Sequence, residues 1–255
     1  MKNNLKPTDM KKFIILMVAT LAFSSSFQAA AGGYRGGIGT GISFGYTHSA
    51  YRTLDWATDE LVEKNGLGGL YVGITHDKEL IRNAMFLETG LYYTYLNEAR
   101  RESLSPLPHK LIGDRSEHYL NVPLRVKYNF PVAHWLDIFA YGGPTFVAGL
   151  SSTLTYRTRL SDDKTAAIEY NYYSGKIQDR NIDELIAGWF GGMLPETRYR
   201  RFDMFLGGAL GAEFLDALEV SIGYDWGLVN RNRGTFADDF KTNRHQFYIN
   251  LGVRF

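Results

Sequence analysis

Apolar and polar side chains alternate along most of the chain with a period of two. The final segment, HQFYINLGVRF, shows this pattern in full, since one of its faces is wholly apolar and carries Phe247, Ile249, Leu251, Val253 and Phe255. Such alternation is typical of β-strands that present one face to an apolar environment. The same pattern predicts eight strands, at 35–47, 67–76, 84–96, 118–130, 135–150, 201–213, 217–229 and 245–255.

The face opposite the apolar residues is rich in glycine and carries isolated charged residues. A water-soluble sheet would present many lysines and glutamates there, whereas a narrow barrel lumen is filled by alternating small and large side chains. The pattern therefore indicates apolar faces that point outward to lipid and a polar face that lines the lumen. The predicted charge network of the lumen comprises Glu88, Arg125, Lys127, Asp203, Glu219, Asp225 and Arg254.

The links between strands also favour a transmembrane barrel. Those between the second and third, fourth and fifth, and sixth and seventh predicted strands are short, and the other links are long and polar. Short turns at one rim and long loops at the other are typical of outer-membrane barrels.

Aromatic residues occur at both ends of the apolar faces, where girdles at the level of the lipid headgroups are expected. The predicted membrane girdle comprises Tyr46, Tyr93, Tyr95, Tyr128, Phe130, Trp226, Phe247 and Phe255.

These patterns together predict an all-β fold, an eight-stranded antiparallel transmembrane β-barrel with long extracellular loops and both termini in the periplasm. The insertion 151–200 does not fit the scheme. Its segments TLTYRTRL and AIEYNYY indicate a polar hairpin, which either continues the fifth strand as an extracellular flap or adds two spanning strands to give a ten-stranded barrel. NIDELIAGWFGGML, at 181–194, is a candidate short helix on the membrane or over the pore.

The N-terminus indicates the compartment. Residues 1–31 combine four lysines, the apolar run FIILMVATLAF and a small-residue end, AAA. This is the pattern of a cleaved secretory signal peptide. We expect residues 32–255 to form the barrel in the cell outer membrane. The mean hydropathy of −0.22 agrees with apolar residues that are dispersed rather than gathered into blocks.

Composition excludes several kinds of site. The chain has no cysteine, which excludes disulfides, thiolate nucleophiles and cysteine-based metal sites. With 28 Lys and Arg against 27 Asp and Glu it is near neutral, and no basic patch suited to nucleic acid is present. GGIGTGISFG alternates like a strand and does not precede a helix, so it is not a phosphate-binding loop. The sequence predicts no cofactor, no metal and no nucleic-acid partner.

Several segments resemble the pattern of the PorT-like outer-membrane β-barrel family. They are YLNVPLRVKYNF followed by DIFAYGGPTFVAGL, and FDMFLGGALGAEF followed by LEVSIGYDWGLVN and the terminal FYINLGVRF. The resemblance covers roughly residues 34–255 and is poor in the insertion. It implies an integral outer-membrane barrel of a Gram-negative bacterium. One branch of that family is linked to protein secretion and gliding, but no matched residue brings that role to this chain.

The charged lumen residues allow two interpretations, a charge-paired plug or an ion-selective constriction. Eight strands leave an interior just wide enough for side chains to fill, which favours the plug. Asp203 and Asp225, on adjacent strands, are candidates for two close carboxylates that bind a cation, or for carboxylates paired with arginine.

The sequence thus predicts a non-enzymatic scaffold that presents its loops, chiefly 151–200, to an extracellular ligand or protein. A narrow passive pore is the alternative. A lipid-modifying enzyme is the third interpretation, with a histidine oriented by a carboxylate such as Asp225 as its base, although no Gly-x-Ser-x-Gly nucleophile motif accompanies it. The other predicted partners are the lipid bilayer and the barrel-assembly machinery, which would bind the C-terminal strand 245–255.

Overall fold

The computed structural model describes residues 38–102, 111–161, 164–180, 197–234 and 236–255. The predicted signal peptide and the segment 181–194 lie outside these residues. Within the described part, no helix is long and apolar enough to cross a membrane. The elements in chain order are β1 (Ile38–Asp55), β2 (Leu61–Ile81), β3 (Met85–Glu102), β4 (Leu111–Ala133), β5 (Leu136–Ser161), β6 (Lys164–Asn171), β7 (Lys176–Arg180), β8 (Arg198–Tyr199), β9 (Phe202–Phe214), β10 (Leu218–Gly227), β11 (Asn232–Arg233), α1 (Phe236–Asp239) and β12 (Phe240–Arg254).

Eight of these strands form a closed antiparallel ring, in the order β1, β2, β3, β4, β5, β9, β10 and β12. β12 closes the ring by pairing with β1, from Gly41 opposite Arg254 to Asp55 opposite Phe240. Closure pairs the backbone groups that an open sheet edge would leave unsatisfied in lipid. The predicted eight-stranded barrel is confirmed. The ring does not have ten members, because β6 pairs with the far end of β5 and β7 pairs with β6, outside the ring.

The apolar faces point away from the barrel axis. Leu124, Ile222 and Leu251 are 43%, 50% and 38% exposed, whereas Arg125 and Glu219 are 7% and 3% exposed. The same alternation of exposed and buried residues runs along β4, β10 and β12. The outward surface is therefore apolar and suited to lipid, and the polar side chains fill the lumen.

The strands extend further than the sequence predicts, mainly at the rim formed by the long links, which we name the long-loop end. β1 continues to Asp55 rather than to 47, and β4 begins at Leu111 rather than at 118. The link between β1 and β2, predicted as a long loop, is thus largely strand, with a turn at 56–60. The prediction followed apolar alternation, which ends where the sheet leaves the membrane. Backbone pairing needs no apolar face and continues beyond that point.

The insertion 151–200 carries a hairpin that continues the fifth strand. β5 runs on to Ser161, and β6 pairs with it from Thr153 opposite Asn171. We name the described residues 151–161 and 164–180 the flap. A small aromatic core joins it to β8, and in this core Leu154 packs against a group of buried tyrosines. These tyrosines are Tyr170, Tyr172, Tyr173 and Tyr199.

Aromatic rings in the lumen lie over glycines of the neighbouring strands. Gly223 faces Tyr248 across β10 and β12, and Gly73 faces Tyr92 across β2 and β3. A Cβ on Gly223 would lie 2.3 Å from Tyr248 Cζ, and a Cβ on Gly73 would lie 2.4 Å from Tyr92 Cδ1. Carbon atoms in contact lie about 3.5–4.0 Å apart, so each glycine makes room for one ring. This is why glycine is frequent on the lumen face.

Candidate functional site: two charge layers across the lumen

A layer of buried charged side chains crosses the lumen near the rim of short turns, the short-turn end. We name it the turn-side charge layer. Ion pairs join its three cations to five carboxylates, and these eight residues lie on six strands of the ring. Six of the seven predicted lumen residues belong to it. Its members are Arg125, Lys127, Arg254, Asp77, Glu88, Glu213, Glu219 and Asp225.

Lys127 is the most enclosed cation of this layer, with a side chain that is 0% exposed. Its Nζ contacts the Glu219 carboxylate and lies 3.1 Å from Glu213 Oε2 and 3.7 Å from Asp77 Oδ2. The ring centroid of Phe139 lies 4.3 Å from the same atom. An unpaired buried ammonium would be strongly unfavourable, and these carboxylates compensate for its lost hydration.

Arg254, near the end of β12, connects three other strands. Its guanidinium lies 2.7 Å from Asp77 Oδ2 on β2, 2.7 Å from Glu219 Oε2 on β10 and 3.3 Å from Glu88 Oε2 on β3. Asp77 and Glu219 also contact Lys127. The two cations therefore share anions, and the layer is one network rather than a set of separate pairs.

Arg125 forms the side of the layer that faces the middle of the lumen. Its Nη2 lies 3.4 Å from Asp225 Oδ2 and donates a hydrogen bond of 3.1 Å to Thr145 Oγ1. Nη1 lies 3.8 Å from Glu88 Oε1. The guanidinium also lies over the ring of Tyr141, with Cζ 4.9 Å from the ring centroid.

A small cavity lies beside Arg125. Its volume is about 30 Å³, and polar groups such as Thr94, Asn121 and Gln246 line it together with Tyr248. One water molecule needs roughly 10–15 Å³ by this measure, so the cavity has room for about two. A space of this size is much smaller than the water-filled lumen of a porin.

A second layer, nearer the long-loop end, is centred on the fully buried Glu117. Its Oε1 accepts hydrogen bonds of 2.9 Å from both Arg115 Nη2 and Ser152 Oγ, and Arg231 Nη2 lies 3.5 Å from the same oxygen. Its Oε2 accepts from the hydroxyl groups of Tyr51 and Tyr119. We name this the loop-side charge layer; its members are Arg115, Arg231, Arg244, Glu117 and Asp203.

Aromatic rings cover the arginines of the loop-side charge layer. Arg231 Cζ lies 4.6 Å from the ring centroid of Tyr199 and 4.8 Å from that of Tyr51. Arg244 Cζ lies 3.9 Å from the ring centroid of Tyr119, and its Nε lies 3.7 Å from Asp203 Oδ2. Cation–π contacts of desolvated guanidinium groups are favourable, so the rings take part of the role that carboxylates have in the other layer.

Arg115 connects the loop-side charge layer to the flap. Its Cζ lies 5.1 Å from the ring centroid of Tyr172 and 5.6 Å from that of Tyr199. These two rings stack with centroids 4.5 Å apart and planes 4° apart. Burial raises the pKa of Tyr172, which lies outside the membrane-spanning strands, so its hydroxyl remains neutral. The flap is therefore packed onto the end of the barrel.

Asp203 and Asp225 do not form the close carboxylate pair that the sequence allows. Asp225 lies opposite Gly207 and belongs to the turn-side charge layer, where it contacts Arg125 and accepts from Gln246. Asp203 contacts Arg244 in the loop-side charge layer. Each carboxylate has its own arginine, because the two side chains lie at different levels of the barrel.

Six members of the two layers were not predicted from the sequence. Glu117 and Arg115 have the same strand parity as Arg125, and this signal is visible once β4 is extended to Leu111. Asp77 follows the lumen parity of β2, beyond its predicted end at 76, and Glu213 has the parity of Asp203. The unpredicted residues are Asp77, Arg115, Glu117, Glu213, Arg231 and Arg244.

The predicted girdle residues follow the outward parity of their strands. Tyr46 on β1 and Tyr95 on β3 lie opposite Leu70 of β2, one on each side. His118 of β4 lies opposite Tyr95. This row of neighbouring residues lies near the long-loop end. At the short-turn end, Tyr128 and Phe130 contact each other with ring centroids 4.5 Å apart. The other predicted members are Tyr93, Trp226, Phe247 and Phe255, and the unpredicted Tyr224 contacts Trp226.

Neither a metal site nor a histidine base emerges from the described residues. They contain no group of three or more His, Cys, Asp or Glu side chains arranged to hold a metal. The contacts of Asp225 are with Arg125 and Gln246 rather than with a histidine. His118 points outward, and its Nδ1 lies 2.6 Å from Tyr93 Oη.

Residues 15–255 match the model of the family described as outer membrane protein beta-barrel domain. The chain belongs to this family. Its location is therefore the outer membrane of a Gram-negative cell. No curated protein matches the chain in sequence.

Three solved structures are similar to the chain at low sequence identity. Ail, the attachment invasion locus protein of Yersinia pestis, in complex with the heparin analogue sucrose octasulfate, is 11% identical over 86% of this chain and 100% of its own, with a TM-score of 0.39. OprG from Pseudomonas aeruginosa is 10% identical over 88% and 98%, with a TM-score of 0.41. Neisserial surface protein A is 10% identical over 84% and 95%, with a TM-score of 0.36.

Proposed function

We propose that this outer-membrane barrel is a non-enzymatic scaffold with a closed lumen, which presents the flap to an extracellular ligand or protein. The observation that carries the proposal is the pair of charge layers, which fill the lumen at two levels and leave a cavity of about 30 Å³ beside the first. Because these side chains are buried and paired with one another, the described part of the lumen has no continuous water-filled path for an ion.

Conductance in planar bilayers tests the closed lumen against the alternative of a narrow passive pore. We expect no reproducible conductance steps from the folded protein. A porin inserted under the same conditions is the positive control. Reproducible steps whose ion selectivity changes on Lys127→Met would contradict the proposal and support the pore.

The flap supports the second part of the proposal. It stands at the long-loop end, shares a tyrosine core with Tyr199 of β8 and contacts the barrel through Arg115. Loops held on a rigid barrel are suited to recognition, because the scaffold fixes their position. We infer that the long-loop end faces the cell exterior.

Cysteine labelling tests this orientation, because the natural sequence has no cysteine. Ser174 lies exposed in the flap, and Arg82 lies exposed in a turn at the short-turn end. We expect a membrane-impermeant maleimide to label Ser174→Cys on intact cells, and Arg82→Cys only after lysis. The reverse labelling pattern would show the opposite orientation.

We also propose that the barrel-assembly machinery binds β12 and that the girdle aromatics lie at headgroup level. β12 ends with outward apolar residues next to Phe255 and is the strand that closes the ring onto β1. Phe255→Ala should lower the amount of folded barrel in cells while leaving the stability of purified protein nearly unchanged. Equal losses in both measurements would argue against a role in assembly.

Two finer assignments complete the proposal. We propose that the scaffold is non-enzymatic, because Asp225 contacts Arg125 and Gln246 and does not orient a histidine as a general base. Loss of a lipid modification on His118→Ala would instead support an enzyme.

Membership of the PorT-like branch is proposed from YLNVPLRVKYNF and its companion segments. Superposition on a PorT-like barrel should align Leu120–Phe130 with the corresponding strand.

A further inference from the structure

A second cavity, which we name the vestibule, opens at the short-turn end of the barrel. Its volume is about 220 Å³, far above the roughly 10–15 Å³ that one water needs by the same measure. Glu213 lines it and contacts Lys127 of the turn-side charge layer. The vestibule is therefore a cup whose inner end meets the filled part of the lumen.

The lining of the vestibule is strongly acidic. It includes the four carboxylates of Glu79, Asp137, Glu213 and Asp216, and the described residues that line it include no lysine, arginine or histidine. Carboxylates concentrated in a concave site raise the local concentration of cations. Glu79 also accepts a hydrogen bond from Asn83 N in the adjacent turn.

A buried amide gives a second, independent indication of a ligand. Asn129 lines the vestibule and is 5% exposed. Its Oδ1 is buried and has no hydrogen-bond partner among the described residues. Buried acceptors are almost always satisfied. Asn129 thus brings an unsatisfied acceptor to the wall of the vestibule, and a ligand N–H group that reaches it there would satisfy it.

Part of the lining is apolar, with the buried Phe86 and the exposed Pro131 beside the acidic groups. The carboxylates and the Asn129 amide oxygen suit a positively charged hydrogen-bond donor, and the apolar part of the wall suits a hydrocarbon chain that carries it. A metal ion fits less well, since the described residues offer no group of three or more ligating side chains in suitable geometry. We propose that the vestibule binds an organic cation, an ammonium or guanidinium group on a short alkyl chain, carried by a free small molecule or by a basic side chain of a peptide.

Calorimetric titration of the folded full-length protein in a nonionic detergent tests this site. The probe is agmatine, which has a guanidinium, an ammonium and a four-carbon stem. N-butylurea has the planar shape and the stem without the charge, and is the matched ligand control. A second arm titrates a short peptide with one arginine against the same peptide with citrulline. We expect agmatine to bind with a submillimolar Kd that weakens with added salt, and butylurea not to bind.

The variant Glu79→Gln/Asp137→Asn/Asp216→Asn removes three charges while keeping side-chain shape and the acceptor for Asn83. We expect it to weaken agmatine binding at least thirtyfold, and Asp137→Asn alone to weaken it about threefold to tenfold. Asp114→Asn, which changes a carboxylate at the opposite end of the barrel, is the matched control and should leave the Kd unchanged. Faster migration of unboiled samples on a denaturing gel shows that each variant has folded.

Each outcome decides the proposal. Binding of agmatine with loss in the triple variant supports a free cation. Binding of the arginine peptide alone, with the same loss, supports a basic side chain as the natural source. The site is overturned if neither probe binds, if butylurea and citrulline bind equally well, or if Asp114→Asn weakens binding as much as the vestibule substitutions.

Discussion

The two charge layers neutralise buried cations by different means. The turn-side charge layer sets three cations against five carboxylates, and two of these carboxylates serve both Lys127 and Arg254. The loop-side charge layer sets three arginines against two carboxylates and covers the arginines with tyrosine rings. In the first layer, Lys127 and Arg254 each contact more than one carboxylate. The second depends on one carboxylate, Glu117, which two arginines share.

This difference predicts that single substitutions have unequal consequences. Removing one member of a buried pair leaves the other charged and desolvated, which is the main part of the cost. In the turn-side charge layer the remaining ions have alternative partners. In the loop-side charge layer, Arg115 and Arg231 both lose their carboxylate if Glu117 is replaced.

Glu117→Ala should therefore have the largest effect. It leaves two buried guanidinium groups and the hydroxyl groups of Tyr51 and Tyr119 without their acceptor. We expect the free energy of unfolding to fall by about 3–5 kcal/mol, measured by urea titration of the barrel in lipid vesicles. Asp114→Asn is the control, since its pair with Arg157 is partly exposed and should change stability by less than about 0.5 kcal/mol. Equal effects of the two substitutions would refute the dependence on Glu117.

Lys127→Met should have an intermediate effect. Arg254 still contacts Asp77 and Glu219 in this variant, so mainly Glu213 loses its cation. We expect the same titration to show a loss of about 2 kcal/mol, below the range for breaking an isolated buried pair. Combining Lys127→Met with Arg254→Met should cost more than the sum of the single substitutions, because they share anions. Strict additivity would mean that the layer is not one network.

Gly223→Ala should have the smallest of the three effects. The added methyl meets the ring of Tyr248, which then has to move within the filled lumen. Overpacking of this kind costs about 1 kcal/mol or somewhat more. In a Tyr248→Ala background, Gly223→Ala should add little further loss of stability. Gly142→Ala is the matched control, because the nearest atom lies 3.4 Å from its added Cβ. If both glycine substitutions are neutral, the rings do not require the glycines.

The ring and the direction of its faces could be predicted from the sequence, because lipid imposes a strict alternation on the strands that cross it. The segment 217–229, for example, alternates in the structure as its residues predict, from the exposed Leu218 to the buried Gly227. Six members of the turn-side charge layer were identified for the same reason. Their parity places them on the lumen side of strands whose other side is apolar.

The loop-side charge layer was less predictable, because alternation ends where the strands leave the membrane. Arg231 lies between β10 and β11 and has no strand parity that would place it in the lumen, yet it contacts Glu117 and Tyr119. Contacts of this kind depend on how the loop folds back over the barrel mouth. The sequence also left open whether Asp203 and Asp225 lie close together or each pair with an arginine. The strand register decides this, because it fixes the level of each side chain in the barrel.

The position of Arg254 on the closing strand has a consequence for barrel formation. The side chain reaches anions on β2, β3 and β10, so it spans the seam between the first strands of the chain and the last. Until β12 docks, Lys127 and Arg125 face a surplus of negative groups in the unfinished interior. Docking of β12 thus closes the ring and lowers this negative surplus in the same step, so a barrel that fails to seat its last strand keeps an electrostatic penalty in its interior.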